Sequence, residues 1–466
     1  MTGTCSLSAD SQLLTLTILE SRLGARLTCL LYEYFGAPSL RASTFLCFLS
    51  ASVFVHGITA KMSNLSLSQR QAIALLFLVL PFNSARISLM VVSSALAYFY
   101  FFLAWYLLVN FKGKGIKAAS LLLFFLSFGL ASNLFFYLFP IAHYFIRAGV
   151  RNWSDFLPWV RRNTLFITLP PIYVFCRNIF WPQKNGYWDY GFTDLFGLIW
   201  TAPLFILILL VYVLGRKFFS NSKSALNLIV AGLLMMLVTS LPYIIYGAYR
   251  CCQISFVEDY LAFLFGRRGW ESRHQILQPL GVAFFLVGLV SFLPSVTQKL
   301  RGKIIGLILI TSMLITLNFG LEAFTEYSKH LEVINRLETS GDFKLVELYV
   351  VRDETSNLNF LANQYSPKMW AGLIATATDP SVYKWFEISP EVGLSEKLVI
   401  ECNPPERKNR EHMSYCQSAE NLKAKMQNRF SKLVWIRGPS TRLKAIRNLL
   451  SDGEIGFNVQ VIDFSK

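Results

Sequence analysis

Six long apolar stretches constrain this chain more than any other feature: residues 86–109, 119–145, 192–214, 226–248, 276–294 and 302–319. Each runs to about 18 residues or more, close to the roughly 20 residues of helix that cross a hydrocarbon layer about 30 Å thick. Irregular backbone in that layer leaves N–H and C=O groups unpaired, so the stretches are expected as helices. Residues 42–59 are expected as the first span. The apolar run within 71–81 is too short to cross alone. Residues 163–180 contain Pro170 and Pro171, which bend a helix by removing a donor and crowding the preceding turn. The expected fold is a polytopic α-helical transmembrane bundle of seven to nine spans, followed by a small C-terminal soluble α/β or α+β domain.

Composition agrees with that architecture. The 466 residues are 54% hydrophobic and only 15% charged, where soluble domains carry about 25% charged residues. The net charge of +16 is uneven: residues 1–322 hold 25 Lys/Arg against 10 Asp/Glu, and residues 323–466 hold 19 against 18. The excess lies mostly in loops of the membrane part, as in proteins whose positive loops face anionic lipid and the cytoplasm. A nucleic-acid-binding chain gathers its basic residues on a soluble domain, and this one is nearly neutral, so no nucleic-acid partner is expected.

Two loops of the first half are basic: 110–118, with Lys112, Lys114 and Lys117, and 147–162, with four Arg and one Asp. Placing the basic loops 215–225 and 295–303 in the cytoplasm puts 250–275 outside, along with everything beyond 322. The expected organisation is a polar or interfacial segment over 1–41, a transmembrane domain over 42–322, and an extracytoplasmic domain over 323–466. The expected location is a bacterial inner membrane, multi-pass. In the last domain, 343–351, 397–402, 434–436 and 457–464 are strand candidates, rich in β-branched and aromatic residues. Residues 321–338, 367–377, 418–433 and 440–450 are helix candidates.

The chain holds no Gly-rich phosphate loop, HExxH, CxxC pair or GxSxG elbow. Its five His and eight Cys have no metal-ligand spacing; no cofactor or metal is expected. Glu258 and Asp259, adjacent acids in an outer loop, are the candidate catalytic pair, since carboxylates at a membrane face suit base chemistry. Arg267, Arg268, Arg273 and His274 follow closely, and arginines there suit a lipid phosphate or diphosphate. An ordinary charged loop is the competing reading. Trp181, Trp188 and Asp189 are candidate sugar-binding residues, against an aromatic interfacial belt. Arg86 is a candidate substrate contact if its segment lines a cavity, against a side chain that reaches the interface. Cys402 and Cys416 are a disulfide candidate if their domain faces an oxidising compartment.

The stretches WPQKNGYWDYGF and GRRGWESRHQILQPL give a general resemblance to bacterial cell-envelope membrane proteins, and the outline resembles membrane glycosyltransferases. That resemblance implies a polysaccharide-related function, with membrane lipids and a polyprenyl-linked sugar or glycan as partners. A transporter or flippase is the first alternative, and a non-catalytic membrane scaffold or sensor the second.

Overall fold

A computed structural model describes residues 37–62, 65–81, 92–149, 153–180, most of 205–215, 223–245, 277–293, 297–339, 349–355, 387–388, 432–452 and 456–463. It is mostly helical. The chain divides into two compact units, Met1–Leu317 and Asn318–Lys466.

In the first unit, helix α1 spans Ala37–Thr59. Phe48, Ala51, Val55 and Ile58 are buried, at the spacing of one helical face. Phe45, Leu46, Leu49 and Val53 are exposed, so the helix is apolar on both faces, as a membrane span is. Helix α2, Leu67–Val79, opens on a capping box: Gln69 N donates to Ser66 Oγ (3.3 Å) and Ser66 N to Gln69 Oε1 (2.9 Å). It ends ahead of Pro81, with Leu80 extended as a residue before proline prefers. The freed Val79 carbonyl accepts from Thr316 Oγ1 at 2.8 Å. Helix α3, Val92–Asn110, packs on α1.

The stretch 119–145, expected as one span, is three helices: α4 (Lys114–Ser127), α5 (Ala131–Phe136) and α6 (Leu138–Arg147). Pro140 has no N–H for the Phe136 carbonyl and crowds it, which accounts for the interruption at Tyr137. The earlier break is held by side chains. Asn133 Nδ2 donates to the Ser127 carbonyl at 2.8 Å, and Ser127 Oγ to the Phe124 carbonyl at 2.7 Å. Helices α7 (Trp153–Arg162), α8 (Thr164–Ile167) and α9 (Leu169–Phe180) follow. The α8–α9 break at Thr168 is the bend that Pro170 and Pro171 require.

Aromatic rings fill the space between these short helices. Phe101, Phe124, Phe128, Phe136, Tyr137 and Phe166 are fully buried. Tyr137 meets Phe124 edge-on at 4.7 Å and Phe128 at 5.1 Å, the arrangement that ring quadrupoles favour. Tyr137 Oη donates to the Phe166 carbonyl at 2.9 Å, tying α8 to this core.

Helices α10 (Lys223–Ile245) and α11 (Gln278–Phe292) pack against each other. A Cβ placed on Gly232 would lie 2.5 Å from the Gly281 carbonyl oxygen, and one on Gly281 2.8 Å from that of Gly232. Small residues that bring backbones this close are typical of helix pairs in membranes.

Helix α12 runs unbroken over Gln298–Thr339, joining the last expected span to the helix expected beyond it. Leu307, Ile310, Leu314 and Leu317 recur on one face and are each more than half exposed. Among the described residues, α1 (over Arg41–Thr59) and α12 (over Gln298–Asn335) are long and apolar enough to cross a membrane. Leu67–Val79, Ser94–Asn110, Lys223–Thr239 and Gln278–Phe292 are apolar helices of shorter length.

The second unit holds a four-stranded sheet: β1 (Tyr349–Asp353), β2 (Glu387–Ile388), β3 (Lys432–Arg437) and β4 (Asn458–Asp463), in the order β2-β1-β3-β4. The first two pairings are parallel and β3–β4 is antiparallel. Helix α13, Arg442–Asp452, connects β3 to β4. Thr441 caps it by accepting from Lys444 N at 3.3 Å. Residues 418–433 were expected as helix, yet Lys432 and Leu433 belong to β3, where they pair with Tyr349 and Val350 on one side and Asp463 and Ile462 on the other. The expected strand 397–402 lies outside the described residues.

Candidate functional site

The site lies where α3 ends, α4 begins and α6 ends. Asn110 closes α3: its Nδ2 donates to the Tyr106 carbonyl at 3.0 Å and to the Gly57 carbonyl at 3.5 Å, which ties this end to α1. Three residues later Gly113 turns the chain with a φ of 140°, a region that side chains rarely tolerate. Helix α4 then starts at Lys114 with no side-chain cap and no acidic residue in its first turn. On α6, His143 Nδ1 accepts from Trp105 Nε1 at 3.2 Å. That buried bond holds α6 against α3 and sets the position of Arg147, one turn further on.

These ends border an open cavity of about 510 Å³. Lys112, Lys114, Lys117 and Arg147 supply its charge, and Leu108, Phe111, Ile116 and Tyr144 much of the remaining wall. Lys117 Nζ donates to Asn163 Oδ1 at 2.8 Å and sits 5.9 Å from the centre of the Tyr144 ring, within cation–π range. Asn163, buried at the α7–α8 junction, is itself oriented by donating Nδ2 to the Trp159 carbonyl at 2.8 Å. Among the described residues none of the four cations pairs with a carboxylate.

That arrangement opposes local electrostatics. A helix N-terminus carries about half a positive charge, so it favours acids and disfavours lysines. Here Lys114 and Lys117 occupy the first turns of α4 and two more cations stand beside them. An anion there would relieve this repulsion. A local rule broken without an internal remedy is typical of functional positions.

Burial holds the Lys117 ammonium below the ordinary lysine range. Below that lowered value the group is charged and draws an anion in; above it the group is neutral and the attraction is lost. Anion affinity is therefore expected to fall as pH rises through the lowered Lys117 range, by about tenfold in total for the loss of one charge-assisted hydrogen bond. Calorimetric titrations of pyrophosphate between about pH 7 and 10 check this, with Lys117→Arg expected to flatten the fall because arginine stays protonated.

The residues expected to carry chemistry lie outside the described residues: Arg86, Trp181, Trp188, Asp189, Glu258, Asp259, Arg267, Arg268, Arg273 and His274, as does the Cys402–Cys416 pair. Among the described residues no group of three or more His, Cys, Asp or Glu is placed to hold a metal ion. No family model, curated protein or solved structure matches the chain. Among the described residues, cations without a carboxylate partner gather in the cavity bordered by α3, α4 and α6. Its lysines and Arg147 are conspicuous in sequence only as basic loops. The missing signal was the absence of any acid in the first turn of the helix that Lys114 opens.

Proposed function

We propose that this chain is a multi-span integral membrane protein that binds a phosphate- or diphosphate-bearing ligand in the cavity at the polar end of α3. One observation carries the ligand class: four cations surround one cavity, two of them at the positive end of α4, with no carboxylate partner among the described residues. Phosphate suits such a site, because it accepts several charge-assisted hydrogen bonds at once. A lipid-linked sugar belongs to that class, which keeps the polysaccharide-related reading in view. The membrane part of the proposal is supported by the exposed apolar faces of α1 and α12 and by the basic loops, which favour residues 323–466 lying outside the cytoplasm.

Inorganic pyrophosphate is the direct probe. The full chain in non-ionic detergent is expected to bind it saturably, with affinity falling steeply as salt screens the cations. An absence of saturable heat at low salt would overturn the proposal. A second reading, a transporter or flippase for the same anionic ligand, is favoured by the breaks between α4, α5 and α6 and between α8 and α9. Discontinuous helices are the usual means by which transporters place polar backbone inside the membrane.

A further inference from the structure

We infer that the ligand of this cavity is an amphiphile, a phosphate-bearing lipid whose headgroup meets Lys112, Lys114 and Arg147 and whose hydrocarbon chain lies on Phe111, Ile116 and the outer face of α4. The inference rests on the anion reading above and adds the ligand's other half.

Three observations carry it. The cavity, at about 510 Å³, is of the size that holds molecules of tens of atoms, far more than a bare phosphate group. Its walls have two chemistries: the cations, and the apolar side chains of Leu108, Phe111 and Ile116. Phe111 stands next to Lys112 and remains 47% exposed. Finally, an apolar track leaves the cavity along α4. Ala118 lies one turn beyond Lys114 and Leu122 one turn beyond Ala118, on one face of the helix, and both are exposed, Leu122 by 60%. A soluble phosphate gains nothing from such a track. A hydrocarbon chain gains the free energy of removing apolar surface from water or detergent headgroups.

The test is competition against pyrophosphate on the full chain in non-ionic detergent. Three competitors are used: dioleoyl phosphatidate, glycerol 3-phosphate, which has the same headgroup without the chains, and dioleoyl phosphatidylcholine, which has the same chains without net charge. Phosphatidate is expected to displace pyrophosphate at a concentration about 10- to 100-fold lower than glycerol 3-phosphate, through burial of a few methylene groups, and phosphatidylcholine is expected not to compete. Phe111→Gln and Leu122→Gln, both at exposed positions, are expected to cut the phosphatidate advantage to within about threefold, since the apolar contact is removed while the cations remain. Pyrophosphate binding itself is expected to be unchanged in Leu122→Gln, whose side chain lies outside the cavity wall. Phosphatidate no better than glycerol 3-phosphate, or an advantage kept in full by both variants, would overturn the amphiphile and leave the anion site standing. Failure of the wild-type chain to bind pyrophosphate would remove both.

Discussion

Replacing Gly281 by leucine is expected to destabilise the first unit by about 3 kcal/mol, at the upper end of what overpacking costs. The added Cβ alone would sit 2.8 Å from the Gly232 carbonyl oxygen and 2.9 Å from the Met236 amide nitrogen. Both are backbone atoms of α10, so no side-chain rotation relieves the clash. The facing position is tighter still, with the Gly281 oxygen and Phe285 nitrogen each 2.5 Å from a Cβ on Gly232. Every residue of α11 from Gln278 to Phe284 is buried, so the helix cannot back away without opening the contact along its length. Gly306→Leu is the control: a Cβ there has nothing within 4 Å, and a change of within about 0.5 kcal/mol is expected at such a position. Thermal unfolding in detergent, followed by circular dichroism, separates the two; equal transition temperatures would show that α10 and α11 are not packed backbone to backbone.

The second large effect concerns the cavity. Converting Lys112, Lys114 and Arg147 together to glutamine is expected to weaken pyrophosphate binding by about 1,000-fold, at roughly tenfold for each charge-assisted hydrogen bond removed. The same change is expected to raise the thermal transition, because it removes cations that repel one another, one of them at the positive end of α4, worth up to about 1 kcal/mol. Binding lost while stability rises is a combination that misfolding cannot produce. It also follows the usual pattern in which functional positions are held at a cost in stability. Lys117 is left in place because Asn163 and Tyr144 give it a structural role as well.

Much of the helical framework was legible because apolar length and proline position are local properties. The stretch before Pro81 stops where expected, and Pro170 and Pro171 divide α8 from α9 as their geometry requires. The stretch 119–145 was misjudged because hydropathy counts its residues as one block. Its two breaks depend on Pro140 and on Asn133 and Ser127 capturing carbonyls, which averaging over a window conceals. Lys432 and Leu433 follow a helical pattern in sequence, but hydrogen bonding to strands on both sides outweighs that preference. The cavity was hidden for a different reason. Lys112, Lys114 and Lys117 lie thirty or more residues from Arg147 and Asn163, and only the folding of α4 back toward α6 and α7 brings them together. Their charge in isolation indicates orientation in a membrane equally well.

The most direct measurement is a pair of calorimetric titrations at low salt, with inorganic pyrophosphate added to the wild-type chain and to the Lys112→Gln, Lys114→Gln, Arg147→Gln variant. Saturable binding by the first and its loss in the second, with the variant unfolding at a higher temperature, is the predicted result. Equal heats and equal affinities in the two proteins would contradict the assignment of these cations to an anionic ligand.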